Sequence, residues 1–581
     1  MFARVRRWIL PGLVLIAVLW LVGLAVTLLQ ANAAARAGFD HVEEARRATP
    51  IELLADSGPA GTGSADTLAV ATEEFDRANA RLRSPLVASL RVLPVLGRQL
   101  QSARVLTGAA AEATSVAVGA TSELRPELEG EAPRGTERVR VLQRVALVAD
   151  KARRRLATIE LGPDRALVAP LGDARDELDE ALRGLGDGLS RASVAATGAA
   201  DFLAGPSTYL VLGANNAEMR AGSGMFLSAG LLEVTDGRFE LGDLRPTQEM
   251  VLPPDSVPVG GDLAVNWSWL DPGRDFRNLA LTPRFAVSAE LARAMWEQVD
   301  GTTVDGVLAI DPDGLRAILA AVGPIEVEGV EYSVETVRRQ LLHDQYVGVR
   351  GDDERDLRRE RLGDVARAAL DALETRDWDV TTLIDELAVA AQGRHLLLWS
   401  ADEAEQQAWE AARLDGSLVD RSLAVSVINR GGNKLDWFLE DDVTIELDGG
   451  SEGPTTVTVR VALRNTTPDG EPSYIIGPTA PADLEPAEYG GIVTLHVPAA
   501  AMDVTAEGGS YLTLNGVDGP SRVVGTFVEI PQGSAEEVVV RFTLPAGVRS
   551  LTLEPSARVP GAEVDFDGRS FARELRRTVR W

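Results

Sequence analysis

The pattern of hydrophobic positions begins with a long apolar run near the N-terminus. Residues Trp8–Leu29 read WILPGLVLIAVLWLVGLAVTLL and contain no charged side chain. A helix needs about 20 apolar residues to cross a bilayer, so the run predicts a transmembrane helix over residues 8–30. Three arginines precede it, and the positive-inside rule therefore places residues 1–7 in the cytoplasm and the bulk of the chain outside.

A cleaved signal peptide is the alternative for this segment, because Ala31, Asn32 and Ala33 form an A-x-A-like cleavage site. The apolar run is longer than the roughly 7–15 residues usual in a signal peptide, which favours an anchor. Both interpretations predict an exported body. We expect a single-pass protein of the cell membrane that contacts the lipid bilayer through residues 8–30.

Residues 31–200 change to the three- and four-residue spacing of helices. One apolar stripe consists of Leu171, Ala174, Leu178, Leu182, Leu185 and Leu189. Glycine and proline interrupt the region at several points, which divides it into separate helices. The pattern predicts a helical bundle or stalk outside the membrane, with a partner-binding coiled coil as the alternative.

Residues 201–415 alternate between short apolar runs and helical patterns. TYLVLG, from Thr208, predicts a buried strand, and the polar residues around Asn215 and Asn216 predict a turn after it. Asp311 followed by Pro312 is typical of a helix start. Further predicted strands are Leu231–Val234, Val307–Ile310 and Ile325–Val327. This alternation predicts a central α/β layered domain.

Residues 416–581 show the two-residue alternation of half-buried strands. Val457, Val459, Val461 and Leu463 would face one way, and the residues between them the other. Similar runs are Val443–Leu447, Ile492–Val497, Val523–Ile530, Val538–Leu544 and Leu551–Leu553. Short strands separated by turns predict an antiparallel, Ig-like β-sandwich. The complete chain is thus predicted to be a multidomain α+β protein.

Composition narrows the classes of function. The 581 residues include 87 acidic and 58 basic side chains, and the formal charge of -29 would repel nucleic acid. There is no cysteine, which excludes disulfides and thiolate metal sites. Arginine far outnumbers lysine, as is typical of the GC-rich genomes of actinobacteria. The four histidines lack the spacing of a zinc site or a serine-hydrolase triad.

Several motifs together carry a resemblance to a known family. They are TYLVLGANNAEMRAGSGMFLSAGLLEVTDGRFEL, DFRNLALTPRFAVSAEL, VDGVLAIDPDGLRAILAAVGPIEVEG and GGNKLDWF. The region of about 85–440 resembles the domain of unknown function 4012 family of bacterial membrane-anchored envelope proteins. Two positions depart from that pattern: Ser223 replaces the first glycine of a pair, and Arg284 stands where an aspartate is common. The family has no assigned activity, so this resemblance implies a location rather than a reaction.

The order of strands, turns and an R-x-x-R helix is also remotely similar to the LytR-CpsA-Psr family. Those enzymes transfer glycopolymers from lipid pyrophosphates to the cell wall, using arginines and a magnesium ion. The resemblance implies a pyrophosphate grip, supported by a turn and by acidic metal ligands. The implied grip is Arg220, Arg350, Arg355 and Arg358, the supporting turn Asn215, Asn216 and Glu218, and the metal ligands Asp275 and Asp243.

Simpler interpretations of these residues stay open. The arginines at 355 and 358 can pair with neighbouring acids on an exposed helix, and Asp275 can belong to a loop salt bridge. Asn215, Asn216 and Glu218 can cap a turn. An aspartate that follows the first arginine in LytR-like enzymes is missing here, which weakens the prediction of magnesium-assisted transfer.

The function expected from the sequence is assistance in the assembly, export or attachment of a surface glycopolymer, through binding of a lipid-linked or phosphorylated glycan. A non-catalytic scaffold that docks other envelope proteins is the second hypothesis. A LytR-CpsA-Psr-like glycopolymer phosphotransferase is the third. We expect no nucleic-acid partner, and an enzymatic role is the less favoured interpretation.

Overall fold

The computed structural model describes residues 20, 22–42, 64–347, 352–449, 453–478, 483–561, 563–572 and 575–581, without the side chains of residues 64, 65, 352–360 and 572. The predicted cytoplasmic tail and most of the predicted transmembrane segment lie outside these residues. Within the part that is described, no helix has the length and apolarity needed to cross a membrane. The anchor therefore stays a prediction from the sequence.

The chain divides into two compact units. The first comprises Met1–Gly130 and Val141–Thr197, and the second comprises Glu131–Arg140 and Gly198–Trp581. Helices of the first unit are α1 (22–42), α2 (Ser64–Leu82), α3 (Pro85–Ala88) and α4 (Pro94–Leu128), with most of α5 (Thr136–Leu156) and α6 (Ala169–Ala204). The bundle predicted from helical periodicity is thus present in the described residues.

Helices α1 and α2 run antiparallel, as their contacts show. The Phe39 and Phe75 rings meet edge to face with centroids 5.2 Å apart, and Arg81 donates to Gln30 further along. A Cβ on Gly38 would lie 2.8 Å from the Phe75 ring, so glycine permits this close approach. Of the predicted stripe on α6, Leu178 is buried and packs with this core, whereas Leu185 is exposed.

The second unit contains a mixed central sheet. Its strands are β1 (Ser207–Met219), β2 (Gly224–Thr235), β3 (Arg238–Leu241), β4 (Arg245–Pro246), β5 (Gly306–Ile310) and β8 (Leu396–Ser400), in the order β3-β2-β1-β5-β8 with β4 against β2. Only β1 and β5 pair in parallel among these described strands. A separate hairpin joins β6 (Ile325–Val327) and β7 (Val330–Tyr332). The strands predicted at Val307–Ile310 and Ile325–Val327 are confirmed with nearly the same bounds, whereas the one predicted at Leu231–Val234 is the end of a longer strand, β2.

Helices cover this sheet on both faces. They are α7 (Gly261–Trp267), α8 (Phe285–Asp300), α9 (Pro312–Val322), α10 (Val337–Leu342), α11 (Asp352–Thr375), α12 (Val380–Gln392) and α13 (Glu403–Ala412). Along β1, Leu210 and Leu212 join one apolar core while Tyr209 and Val211 join another, as the alternation of a strand requires. The Asp311 carboxylate caps α9 by accepting from the Asp313 and Gly314 amides, which confirms the predicted helix start.

The C-terminal region forms two further six-stranded sheets in the described residues. One contains β10 (Leu439–Asp448), β11 (Thr455–Asn465), β13 (Met502–Glu507), β16 (Ala535–Leu544), β18 (Glu563–Phe566) and β19 (Arg569–Ala572). The other contains β9 (Ser422–Asn429), β12 (Tyr489–Pro498), β14 (Tyr511–Asp518), β15 (Ser521–Ile530), β17 (Ser550–Glu554) and β20 (Arg577–Arg580). A short helix, α14 (Ser473–Ile476), precedes β12.

These two sheets share one apolar core, so the region is a β-sandwich. The predicted arrangement was purely antiparallel, and this was wrong at two places. Strand β10 pairs in parallel with β18, and β9 pairs in parallel with β17. Both exceptions join strands that are distant in the sequence, which local turn signals cannot reveal.

The sandwich also packs directly on the α/β layers. Ile428, Ile492, Leu514 and Val523 of the sheet containing β9 belong to the same core as the α8 residues. The α/β layers and the sandwich therefore share a core within the second unit and are not separate domains joined by a linker. This packing brings the end of β1 against the sandwich.

Candidate functional site

The polar end of β1 lies inside the second unit. A turn was predicted at Asn215 and Asn216, and this was wrong, because β1 continues to Met219 with register shifts after Gly213 and Asn215. The strand continues as the antiparallel partner of β2, and the side-chain amides of its two asparagines have buried partners. Asn216 donates to Asp311 Oδ2 at 2.7 Å, and Asn215 donates to Glu218 at 3.1 Å.

A buried ion pair joins β1 to the sandwich. Lys434 Nζ lies 2.6 Å from Glu218 Oε2, and the two side chains are only 8% and 9% exposed. The ammonium also lies over the rings of Tyr346 and Tyr474, at 4.8 and 5.0 Å from their centroids. Although burial lowers the pKa of Lys434, Glu218 and the two tyrosines together raise it, so the lysine is charged.

Asp436, next to this ion pair, accepts several hydrogen bonds. Its carboxylate accepts from the Met219 amide at 3.0 Å, from Tyr489 Oη at 2.9 Å and from Arg558 Nη1 at 3.0 Å. Burial and the negative charge of Asp436 raise the pKa of Tyr489 well above its ordinary value. We define the polar seam as this network between residues 215–220, at the end of β1 and directly after it, and the sandwich residues 429–436 and 557–558.

Arg220, the first predicted grip residue, belongs to the seam. It is 3% exposed, and its guanidinium donates to the backbone carbonyls of Met219, Asn429 and Arg277, each at 3.0 Å. No carboxylate among the described residues forms a salt bridge with it. Burial lowers the pKa of Arg220 to about 10, and the positive charge of Arg430 adds to this lowering.

The other predicted grip residues cannot be located in the same way. Arg350 lies outside the described residues, and Arg355 and Arg358 lie on α11, where only the backbone is described. Their convergence with Arg220 therefore stays a prediction. Further along α11, Arg361 Nη2 lies 3.1 Å from Glu328, which belongs to the turn between β6 and β7 and not to the same helix.

The two predicted metal ligands do not lie in a metal site. Asp275 accepts the Arg277 amide at 2.9 Å and forms a salt bridge with the same residue at 2.5 Å. Asp243 is almost fully exposed and faces Arg367 at 3.5 Å. Within the described residues, no group of three histidine, aspartate or glutamate side chains could hold a metal. Each of the two aspartates thus has an arginine partner, and their role as metal ligands stays a prediction.

An open cleft lies where the α/β layers meet the sandwich, and no motif in the sequence predicts it. Its volume is about 390 Å³, within the roughly 300–1,000 Å³ usual for small-molecule sites. Trp269 and Tyr511 form exposed aromatic faces, 53% and 59% exposed. The cleft is lined by Trp269, Arg430, Ile492, Tyr511, Leu512, Thr513 and Phe527.

Close backbone packing positions the two aromatic walls. The Asn266 side chain donates to the Val517 carbonyl of β14 at 2.8 Å, and the Asn266 backbone carbonyl accepts from the Trp269 indole at 3.1 Å. A Cβ on Gly516 would lie 2.1 Å from Asn266 Oδ1, so a side chain at position 516 would displace this amide. On the other wall, Tyr511 stacks on Phe527 with centroids 5.6 Å apart and an angle of 19°. Both rings are thus fixed before any ligand arrives.

Arg430 supplies the positive charge of the cleft. Its guanidinium carbon lies 5.8 Å from the centroid of the Trp269 ring. No salt bridge joins it to any carboxylate in the part of the chain that the structure describes, and burial lowers its pKa. Arg220 donates to the carbonyl of the preceding residue, Asn429, so two desolvated guanidinium groups lie near each other. Glu218, Asp436 and Asp275 offset part of the charge of Arg220, whereas burial alone shifts the pKa of Arg430. Such an arrangement favours an anion.

The fold and the cleft define a class, a mixed α/β and β-sandwich protein with an open cleft lined by aromatic side chains and one arginine. Residues 204–346 match the family model described as "Protein of unknown function (DUF4012)". This supports the resemblance derived from the motifs, over a shorter region than the motifs suggested. No curated protein and no solved structure matches the chain.

Proposed function

We propose that this protein is a membrane-anchored, extracytoplasmic component of the bacterial cell envelope that binds a phosphorylated or lipid-linked glycan. It thereby assists assembly, export or attachment of a surface glycopolymer without catalysing the transfer. The cleft between Trp269 and Tyr511 carries this proposal. The charge-free run at residues 8–29 supports the location.

The chemistry of the cleft suits such a ligand. Sugar rings have apolar C–H faces that stack on exposed aromatic rings, and Trp269 and Tyr511 present such rings. A phosphate needs a cation, and a guanidinium can give it two parallel charge-assisted hydrogen bonds. Arg430 is the group in the cleft that can do so, because its charge is not used by a salt bridge within the described chain.

Binding of a defined probe tests this function. We would measure binding of undecaprenyl pyrophosphate carrying one N-acetylglucosamine to the full-length protein in detergent micelles. The expected effect of Arg430→Gln is a loss of about 1.5–3 kcal/mol, or roughly 10- to 150-fold in Kd, because a hydrogen bond to a charged group is lost. Trp269→Ala should also weaken binding, through loss of the stacking face.

Two controls keep the result specific. Arg460→Gln removes an arginine from β11 outside the cleft and should leave the Kd unchanged. Undecaprenyl pyrophosphate without the sugar should bind Trp269→Ala and wild type alike, because it lacks the stacked ring. Equal binding of the complete probe by wild type, Arg430→Gln and Trp269→Ala would contradict the proposal.

The polar seam favours a second candidate, a non-catalytic scaffold that docks other envelope proteins. Buried hydrogen bonds and an ion pair join the α/β layers to the sandwich through Arg220, Asn216 and Glu218. These polar side chains therefore stabilise the fold. Crosslinking in cells distinguishes the two functions. The scaffold predicts protein partners that are recovered equally with wild type and with Arg430→Gln.

A further inference from the structure

The first unit exposes a short apolar segment that runs from the connection after α3 into the first turn of α4. It consists of residues 90–96, which we call the apolar tip. Four large side chains on either side of Pro94 face solvent there: Val92 is 83%, Leu93 44%, Val95 69% and Leu96 50% exposed. A contiguous exposed apolar surface of this kind marks an interaction site, because exposure to water has a free-energy cost.

The fold of the first unit places the apolar tip beside the N-terminal end of α1. Towards the N-terminal end of α1, its contacts move along the chain that follows α2. Phe39 contacts Phe75, and Gln30 accepts from Arg81. Further along, a Cβ on Gly23 would lie 3.6 Å from Leu86 of α3. The residues that follow Leu86 form the tip, so the tip lies near the part of α1 that belongs to the charge-free run.

The side chains of α1 near Gly23 include exposed apolar ones as well. Val22, Val26 and Leu29 are among the exposed hydrophobic residues. Seven residues separate Gln30 from Gly23, a rise of about 10 Å along the helix. An interfacial segment enters a bilayer by about 5–10 Å, so a bilayer that contains the start of α1 would also reach the tip.

Basic side chains surround the apolar tip. Arg83, Arg91 and Arg98 are all exposed. None of the three forms a salt bridge with another residue that the structure describes, and a guanidinium is a good partner for a phosphate group. Apolar side chains flanked by arginines are the composition of segments that lie in the interface of an anionic membrane.

We propose that the apolar tip inserts into the outer leaflet of the bilayer that holds the anchor, with the three arginines at the lipid phosphates. The proposal rests on the membrane anchor included in the proposed function. It adds a second attachment point, which would hold the first unit at a fixed height and orientation above the membrane. A protein partner for the same surface is an outcome that the experiment below distinguishes.

A single fluorescent label tests the insertion. The chain has no cysteine, so Val95→Cys in the full-length protein can be labelled uniquely with the environment-sensitive fluorophore NBD. The protein would be reconstituted into vesicles of phosphatidylcholine and phosphatidylglycerol, with and without nitroxide-labelled lipid. We expect blue-shifted emission and strong quenching by the nitroxide.

Leu147→Cys provides the matched control. It is an exposed apolar position on α5, and its neighbours Arg144 and Lys151 pair with Glu123 of α4. Glu123 lies 27 residues beyond Leu96, which is about 40 Å along the helix. The label at 147 should keep water-like emission and escape quenching.

The outcomes separate the two proposals. Failure of the protein to float with vesicles would refute the anchor. Flotation with equal, unquenched emission from both labels would refute the tip insertion and leave the anchor intact. Blue-shifted but unquenched emission at position 95 would show a protein contact instead, which also overturns the proposal.

Discussion

Replacement of Lys434 by methionine tests whether the polar seam holds the second unit together. Methionine keeps the apolar stem of the lysine but removes the ammonium that faces Glu218 at 2.6 Å. Glu218 would then be a buried carboxylate with Asn215 as its remaining side-chain partner in the described network. Loss of one member of a buried ion pair costs about 3–5 kcal/mol, and loss of the cation–π contacts falls within this sum.

Urea unfolding of the full-length protein, followed by tryptophan fluorescence, measures the effect. We expect Lys434→Met to lower the free energy of unfolding of the second unit by about 3–5 kcal/mol. The double variant Lys434→Met/Glu218→Gln should recover much of this loss, because no uncompensated charge remains. Recovery by the second substitution is the specific signature of a buried ion pair.

The chain offers a matched control in Lys151, its other lysine. Lys151 pairs with Glu123 at 2.8 Å on a half-exposed surface. Lys151→Met should therefore cost no more than about 1 kcal/mol, since water and salt screen exposed pairs. If Lys434→Met cost as little as Lys151→Met, or if the double variant were no more stable than the single one, the seam would not be holding the unit together.

Two further predictions concern the cleft and the end of β5. Gly516→Ala should destabilise the unit by about 1–3 kcal/mol through overpacking and weaken binding of the glycan probe, because the new Cβ would meet Asn266 at 2.1 Å. Gly453→Ala, which meets no atom within 4 Å, is its control, and equal effects of the two would contradict this account. Burial lowers the pKa of His395, but the carboxylate of Asp311 raises it above 6.5 overall. The resulting stabilisation should be complete below pH 6.5 and disappear as pH rises through the folded-state pKa, and urea unfolding of His395→Gln should lack this pH dependence.

Features that depend on neighbouring residues could be predicted from the sequence. The cap of α9 needs only Asp311 and the amides that follow it. The alternation of β11 fixes which side chains face the core, and its valines are buried as expected. In both cases the spacing of a few residues determines the geometry, so the sequence contains the whole signal.

The polar seam could not be predicted because its partners lie far apart in the chain. Asn216 bonds to the carbonyl of Ala557, 341 residues away, and Glu218 pairs with Lys434, 216 residues away. Two asparagines after a short apolar run are typical of a turn. In the fold β1 continues through them, paired with β2, and their side chains are satisfied by distant residues. The cleft could not be predicted for the same reason. The packing of α7 on β14 brings Trp269 and Tyr511, which are distant in the sequence, to the walls of one cleft.

The extent of the family match bears on where function resides. The match ends at residue 346, whereas Lys434, Asp436 and the Ala557 carbonyl, which complete the bonds of Glu218, Met219 and Asn216, all lie beyond it. The matched region also lacks β8, the edge strand that pairs with β5. It therefore cannot satisfy its own buried polar groups.

The cleft spans the same boundary, because Trp269 lies within the match and Arg430 and Tyr511 lie outside it. The binding that we propose for this cleft therefore requires the whole second unit, in which the polar seam joins β1 to the sandwich.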